Sequence, residues 1–243
     1  MTALLLEVSG LHVAYGDERV LRGIDLDIPN SEFVALIGPN GSGKTTLLRA
    51  IVGMAPLSQG TVRIGGHDLA AAERDARLNV GFAVDPGQLP ELLTGRECLA
   101  LFAATRDMPG VPQATLSLGD ALALTPVLDR RIASYSLGMR QKLGILLGLI
   151  GKPPLLLLDE PFNGLDPRSA LAFKQHLASL VADAGVSVLL ATHSLDVVER
   201  YATRALLLLE GRLRHAWDAS ELVALREHPE RSLERAMAEE CGV

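Results

Sequence analysis

The chain has 243 residues, of which 48% are hydrophobic and 21% are charged, and its formal net charge is −6. This composition excludes a disordered protein, because the apolar side chains suffice for a buried core, and the length fits one large or two small domains. The acidic balance, without any block of lysines and arginines, argues against nucleic acid as the main partner.

Cysteines, histidines and apolar runs give no sign of a disulfide framework, a metal cluster or a membrane anchor. Cys98 and Cys241 lie far apart and outside any CxxC arrangement, and the histidines form no HExxH pair. The start of the chain lacks the basic residues and the cleavage site of a secretory signal. The longest apolar stretch, residues 143–150, is far shorter than the roughly 20 residues that cross a bilayer. The sequence therefore predicts a cytosolic chain without a membrane span.

Short alternating segments near the start of the chain predict a small N-terminal antiparallel β layer. They cover residues 4–8, 11–14, 23–28 and 62–64. Five further runs are apolar throughout, which is typical of parallel strands buried on both faces. These runs are residues 33–37, 80–84, 155–158, 186–191 and 205–209. Because helix-like stretches at 44–52, 167–182 and 195–201 lie between them, the sequence predicts an α/β fold with a mostly parallel central sheet.

A change of pattern from about residue 92 to residue 151 predicts an inserted helical subdomain. This segment consists of helix-like stretches rich in alanine, leucine and threonine. The segment 219–240 resembles one or two charged amphipathic helices, to which we assign no chemistry. The predicted organisation is one domain over residues 1–218 and a helical tail over residues 219–243.

A glycine-rich loop follows the strand predicted at 33–37 and leads into the helix that begins at Lys44. Its sequence, GPNGSGKT, matches the pattern GxxxxGK[ST], in which backbone amides turn toward phosphate oxygens at a helix N-terminus. Lys44 supplies a charge to the phosphates, and Thr45 offers a hydroxyl to Mg²⁺. The predicted nucleotide-binding residues of this loop are Gly38, Pro39, Asn40, Gly41, Ser42, Gly43, Lys44, Thr45 and Thr46.

Two carboxylates follow the apolar strand predicted at 155–158. Asp159 is expected to bind Mg²⁺, and Glu160 to polarise the water that attacks the γ-phosphate. His193 follows the strand at 186–191 and should lie at the same carboxyl edge, where α/β sheets place their ligands. A strand-end acid or a lone histidine is more often solvated or structural. Together with the phosphate loop, however, these residues predict Glu160 and His193 as catalytic and Asp159 as a metal ligand.

The order and spacing of these motifs, over about residues 4–213, resemble the nucleotide-binding subunit of an ABC transporter. The loop at 38–45 resembles the Walker A motif of this family, and residues 155–160 resemble Walker B with its catalytic glutamate. The resemblance implies the P-loop NTPase fold of ABC ATPases, with ATP and Mg²⁺ bound.

Three further residues are carried over from the same resemblance. Tyr15 resembles the aromatic residue that stacks on adenine, although a tyrosine in a β segment is commonly only packed. Asp166 resembles the aspartate of the D-loop, and His193 resembles the switch histidine. We therefore expect Tyr15 and Asp166 to contact nucleotide.

The family's signature motif is present in altered form at residues 135–139, which read Tyr-Ser-Leu-Gly-Met instead of the usual Leu-Ser-Gly-Gly-Gln. This form is familiar in the branch that contains ABC-2-type exporters. The retained Ser136 and Gly138 are implied to contact ATP held by a second copy of the chain, so that two copies close around two ATP molecules. The alternative is that Ser136 is a plain N-cap of the helix that follows.

A second departure from the family follows the strand predicted at 80–84. Asp85 stands where the family has a glutamine that contacts Mg²⁺, and a carboxylate is also a suitable ligand for this ion. Gln88, three residues further on, is the alternative. We favour Asp85 as the metal ligand because of its position relative to the strand.

The resemblance implies an ATPase subunit that drives transport, with export favoured, through separate transmembrane permease subunits at the cytoplasmic face of the membrane. The contact surface for these subunits is expected within residues 92–151 and the loop at 85–93. A soluble ABC-type ATPase of DNA repair, translation or cluster assembly is the alternative. Such chains usually have a long coiled coil or a second cassette, and the sequence shows neither. Intact Glu160 and His193 argue against a non-hydrolysing regulatory module.

Overall fold

A small antiparallel sheet begins the fold in the computed structural model, which describes residues 4–227 and 232–241. Its strands pair in the order β2-β1-β4-β5. They are β1 (Leu4–Tyr15), β2 (Glu18–Pro29), β4 (Leu57–Ile64) and β5 (His67–Asp68). This sheet is the predicted N-terminal β layer.

A larger sheet forms the centre of the molecule, with the strand order β10-β9-β3-β8-β7-β6. Its strands are β3 (Phe33–Ile37), β6 (Val80–Phe82), β7 (Leu155–Asp159), β8 (Ser187–Ala191), β9 (Arg204–Leu209) and β10 (Arg212–Trp217). All neighbours are parallel except β9 and β10. The predicted fold class, α/β with a mostly parallel central sheet, is confirmed.

The register of the central strands brings their carboxyl ends to one edge of the sheet. Leu36 near the end of β3 pairs with Ala191 at the end of β8, and Ala191 pairs in turn with Asp159 at the end of β7. The segments that leave these three strands are therefore neighbours. This edge is where a parallel α/β sheet binds ligands.

Two apolar layers lie on opposite faces of the larger sheet. Along β3, Phe33, Ala35 and Ile37 belong to one layer, and Val34 and Leu36 belong to the other. This two-sided burial explains why the central strands are apolar at successive positions rather than at alternating ones. The smaller sheet packs in the second layer.

Helices pack against both apolar layers of the larger sheet. They are α1 (Lys44–Ile51), α2 (Glu73–Leu78), α3 (Gly95–Thr105), α4 (Gln113–Ala121), α5 (Leu137–Leu149), α6 (Pro167–Ala184), α7 (Leu195–Tyr201), α8 (Ala219–Glu227) and α9 (Leu233–Cys241). Helices α3, α4 and α5 fill the segment between β6 and β7 in which the sequence predicts a helical subdomain. None of the helices in the described ranges combines the length and apolar character that a bilayer crossing requires.

The C-terminal segment contains two helices that pack onto the main core. Leu222 of α8 and Leu233 of α9 are buried in the same apolar layer as Trp217 of β10. Burial of a leucine side chain contributes about 2 kcal/mol, so these contacts attach the tail to the sheet. Residues 1–3 of the predicted domain, and 228–231, 242 and 243 of the predicted tail, lie outside the described residues.

Two strands differ from the sequence prediction for reasons that the hydrogen bonds explain. The strand predicted at 80–84 ends at Phe82, because the Val84 N–H donates to the Gly144 carbonyl of α5 at 3.2 Å. The segments predicted at 4–8 and 11–14 form the single strand β1. At the irregularity between them, Gly10 has a positive φ of 54° and its N–H donates to the Asp25 carboxylate at 2.7 Å.

Candidate active site

The phosphate loop connects the end of β3 with the start of α1, and its shape depends on glycine. Gly38 and Gly43 have φ angles of 152° and 108°. A Cβ at Gly38 would collide with the Leu208 carbonyl oxygen, and one at Gly43 would come within 2.9 Å of the Leu21 side chain. Both the left-handed backbone and the close approach of neighbouring chain therefore require glycine at these positions.

The Lys44 side chain is nearly buried, with 8% of its surface exposed, and folds back over the loop. Its Nζ donates to the carbonyl of Gly38 at 2.7 Å and to that of Pro39 at 3.2 Å. Burial lowers the pKa of Lys44, while the carboxylates of Glu160 and Asp159 act in the opposite direction. The structure thus brings the predicted lysine and both predicted acids within electrostatic reach of one another.

The N-terminus of α1 has polar groups available for an anion. Its N-cap is Gly43, so no side chain caps the first turn, and this turn contains no acidic residue. The Ser42 hydroxyl is buried and has no hydrogen-bond partner in the part of the chain that the structure describes. Uncapped amides, an unpaired hydroxyl and the Lys44 ammonium suit the oxygens of a polyphosphate.

The two predicted acids sit differently at the end of β7. Asp159 is the last residue of the strand, whereas Glu160 has a left-handed backbone with a φ of 44° and donates its N–H to the Ala191 carbonyl at 2.9 Å. One carboxylate oxygen of Glu160, Oε1, lies 2.9 Å from His193 Nδ1. The other, Oε2, accepts a hydrogen bond of 3.4 Å from Thr192 Oγ1. The two predicted catalytic residues are therefore in direct contact.

The oxygen donors at this edge suit Mg²⁺. Within the described ranges, neither the Thr45 hydroxyl nor the Asp159 carboxylate makes a hydrogen bond or an ion pair, and no cluster of three or more acidic, histidine or cysteine side chains forms a metal cage. Mg²⁺ is typically bound by one or two protein oxygens together with substrate phosphates and water. Thr45 and Asp159 match this pattern.

Asp85 lies beyond the end of β6 and is exposed. Its carboxylate accepts the Gly87 N–H at 2.8 Å, which caps a short 3₁₀ turn, and lies 3.7 Å from the Arg49 guanidinium of α1. These are its partners in the described part of the chain. Gln88, at the end of that turn, borders a groove beside β6. The choice between Asp85 and Gln88 as metal ligand stays a prediction.

The signature turn makes its hydrogen bonds outside the phosphate loop of its own chain. Ser136 is the N-cap of α5 and its Oγ accepts the Met139 N–H at 3.3 Å, as the alternative interpretation expects. Ser136 itself is exposed, and the next residue, Leu137, is 68% exposed. Gly138 abuts the Gly164 carbonyl, where a Cβ would come within 2.5 Å. Within the described residues, no hydrogen bond or ion pair joins this turn to the phosphate loop.

Asp166 and Tyr15 are placed in contrasting surroundings. Asp166 is the N-cap of α6 and accepts hydrogen bonds from Lys142 Nζ at 2.7 Å and from Ser169 N–H at 2.9 Å. The Lys142 ammonium, followed by Ser169, holds the pKa of this carboxyl well below its usual range. Tyr15 ends β1 with 48% of its surface exposed, so its ring is accessible.

Three residues that the sequence did not single out also contribute to this region. Thr192 is fully buried beside Glu160, and its position directly before His193 at a strand end is a signal that could have identified it. Lys142 links α5 to Asp166, and neighbouring Gln141 donates to the Pro161 carbonyl at 3.2 Å. The helix that follows Ser136 is thus bound to the segment that follows Glu160.

Known proteins match this chain over most of its length. The family model described as "ABC transporter" matches residues 21–163. The uncharacterised ABC transporter ATP-binding protein YdbJ of Bacillus subtilis is 36% identical over 88% of this chain and 69% of its own length. The daunorubicin/doxorubicin resistance ATP-binding protein DrrA of Streptomyces peucetius is 33% identical over 98% of this chain and 76% of its own. The lantibiotic transport ATP-binding protein SrtF of Streptococcus pyogenes is 31% identical over 89% of this chain and 93% of its own length.

Solved structures agree with these sequence matches. An ATP-binding subunit of an ABC transporter superposes with a TM-score of 0.85 at 31% identity and covers 98% of this chain and 99% of its own. A dimeric ATP-binding cassette in a post-hydrolysis state, bound to ADP and Pi, superposes with a TM-score of 0.79 over 88% of this chain and 98% of its own. At 24% identity, this second likeness concerns the fold alone.

Proposed function

This chain belongs to the ABC transporter family as an ATP-binding and ATP-hydrolysing subunit, and from this premise we propose how it works. Two copies close around two MgATP and so drive export through separate membrane-spanning subunits. The observation that carries this proposal is the convergence of Lys44, Glu160 and His193 at one edge of the larger sheet. Catalysis of phosphoryl transfer consists mainly of positioning and charge stabilisation, and this edge provides both.

Each group at the edge has a separate task in the proposed reaction. Lys44 and the amides at the start of α1 bind the terminal phosphates. Glu160 accepts a proton from the attacking water, and His193 holds the Glu160 carboxylate from its exposed side. Thr45 and Asp159 would hold Mg²⁺, which offsets the negative charge of the phosphates when it is bound.

The Ser136 turn is proposed to complete the site of a second copy. Its hydroxyl accepts the Met139 N–H and so keeps its own proton available for an outside acceptor. The exposed Ser136 and Leu137 lie at the N-terminus of α5, which favours an anion such as the γ-phosphate. A head-to-tail pair of chains would place this turn over the partner's phosphate loop.

We further propose that the direction of transport is export and that the chain lies at the cytoplasmic face of a membrane. The names of two relatives support it, since one concerns resistance to daunorubicin and doxorubicin and the other lantibiotic transport. The membrane-spanning partner is proposed to contact a groove of about 590 Å³ between the edge strand β6 and the helical region. Its lining includes Phe82, Val84 and Phe102 together with Arg74 and Arg106. This surface overlaps the contact region that the sequence predicts.

The substitution Glu160→Gln tests the proposal directly. We expect ATP turnover to fall by about 100-fold or more, because the amide cannot accept the proton of the attacking water. ATP binding should persist, and the variant should form an ATP-dependent dimer. Phosphate release measures turnover, and size-exclusion chromatography with and without MgATP measures the dimer.

Glu210→Gln is the matched control for this experiment. Glu210 is also a glutamate with a positive φ, of 49°, but its partner is Arg214 on β10. This variant should hydrolyse ATP like the wild type. Wild-type turnover in Glu160→Gln would remove Glu160 from the mechanism. Purification of the wild-type chain with nucleic acid, instead of a polytopic membrane protein, would favour the soluble ABC-type ATPase.

A further inference from the structure

The Thr192 hydroxyl lies at a junction of three segments of the active site. Thr192 is fully buried and follows the last residue of β8. Its backbone N–H donates to the Leu36 carbonyl of β3 at 3.2 Å, next to the start of the phosphate loop. Its Oγ1 lies 3.4 Å from Glu160 Oε2 and accepts the Ser194 N–H at 3.0 Å. Thr192 therefore contacts the strand before the phosphate loop, the catalytic glutamate and the segment that carries His193.

The direction of the hydrogen bond to Glu160 follows from the other partner of Thr192. A threonine hydroxyl has one proton to donate and two lone pairs that accept. Because the Ser194 N–H occupies an acceptor position, the hydroxyl proton is available for Glu160 Oε2. An ionised carboxylate only accepts, so the two groups are complementary.

His193 and Thr192 hold the two oxygens of Glu160 in different ways. His193 is 63% exposed, so the contact with Oε1 lies on the solvent side. Thr192 is buried and β-branched, which restricts its χ1 angle, so the contact with Oε2 comes from a stiff side chain within the core. Such a fixed contact orients a carboxylate even when the exposed partner moves.

We propose that Thr192 is a positioning residue for ATP hydrolysis, which holds the Glu160 carboxylate in its productive orientation relative to the phosphate loop. This inference rests on the proposed role of Glu160 as the group that accepts a proton from water. Proton transfer requires hydrogen-bond geometry, and small displacements of a catalytic group lower the rate strongly. Thr192 acts through Glu160 and does not itself touch the nucleotide.

Thr192→Val and Thr192→Ser form the central pair of variants. Valine preserves the branched shape but cannot donate a hydrogen bond, whereas serine keeps the hydroxyl. We expect Thr192→Val to lower kcat by about tenfold while KM for ATP stays within about twofold, because the lost contact acts on Glu160 rather than on ATP. Thr192→Ser should retain most of the wild-type kcat. Thr192→Ala replaces the valine variant if valine prevents folding.

A control and a second readout separate positioning from a purely structural role. Thr203→Val removes a hydroxyl that bonds the Phe33 backbone at the opposite end of β3 and should leave kcat unchanged. In the Glu160→Gln background, addition of Thr192→Val should not weaken the ATP-dependent dimer, because the orientation of residue 160 is no longer needed for turnover.

Three results would overturn the inference. The first is a wild-type kcat in Thr192→Val, and the second is a rise in KM at unchanged kcat. The third is loss of the dimer in the double variant, which would assign Thr192 to the structure of the site. If Glu160→Gln alone forms no dimer, the proposed function has failed instead, and the kcat and KM of Thr192→Val still decide the role of Thr192.

Discussion

The edge of the larger sheet and the Ser136 turn each contain a helix N-terminus. The functional side chains of the first are held by contacts within the chain, whereas those of the second are exposed. At the edge, Lys44 binds carbonyls of its own loop and Glu160 is held by His193 and Thr192. At the turn, Ser136 and Leu137 are exposed. Folding of one chain therefore brings the catalytic candidates of the first region into contact with one another. The second is a surface whose proposed task begins only when another copy approaches.

Lys44→Ala should have the largest effect, because it removes the ammonium that is proposed to bind the terminal phosphates of ATP. Without the ammonium, the carboxylates of Asp159 and Glu160 lose the nearby positive charge and repel the phosphates. We expect ATP affinity to fall by about 100-fold, as measured by isothermal titration calorimetry. Lys174→Ala, which removes a lysine paired with Asp196, is the control for the change in net charge. Wild-type affinity in Lys44→Ala would place the nucleotide elsewhere.

Ser136→Arg should separate the proposed tasks of the two regions. The bulky cation at the exposed turn should abolish turnover by preventing closure of two copies, while ATP binding to a single chain stays unchanged. Loss of the N-cap also costs the α5 helix about 1 kcal/mol, so the variant is expected to be somewhat less stable.

Ser134→Arg is the matched control for this variant. Ser134 is an exposed serine two residues earlier, and its hydroxyl bonds the Arg131 carbonyl. Phosphate release and calorimetric ATP binding are compared for the two variants. Full ATPase activity in Ser136→Arg would contradict a shared site and leave the turn with its capping role alone.

Asp166→Asn should have the smallest effect, a change in the stability of the fold. It tests the contact between Lys142 and Asp166, which links the two regions. Lys142 and Ser169 depress the pKa of Asp166 below its usual 3.8, so its ionised form stabilises the fold. This contribution is fully present above pH 3.8 and is lost as the pH falls toward the depressed value. The stability difference between wild type and Asp166→Asn, measured by urea unfolding, should therefore shrink from pH 7 to pH 3. A difference independent of pH would show that the ion pair contributes nothing.

The strands of the central sheet could be predicted because their burial on both faces leaves a local mark, a run of apolar residues. The predicted strand at 33–37 and helix at 195–201 coincide with β3 and α7. The end of β6 could not be predicted in this way. It depends on the bond from Val84 to Gly144, which lies 60 positions later in the chain. The antiparallel strand β10 alternates in burial and was not predicted either.

In the candidate site too, features with a local sequence pattern could be predicted and contacts between distant residues could not. The phosphate loop is recognisable because the glycine spacing itself determines its shape, as the φ angles of Gly38 and Gly43 illustrate. Strand ends correctly suggested that Glu160 and His193 would be neighbours. The contacts of Thr192 with Glu160 and of Lys142 with Asp166 join residues 32 and 24 positions apart. The strand end before His193 could have identified Thr192 as a candidate, but no local pattern predicts either contact.

The left-handed backbone at Glu160 affects which residues could replace it. A residue with a Cβ at a φ of 44° is strained by roughly 1–2 kcal/mol, and glycine or asparagine would relieve much of that strain. Neither replacement has a carboxylate. Relief of the backbone strain and the proposed acceptance of a proton from water therefore require different side chains at this single position.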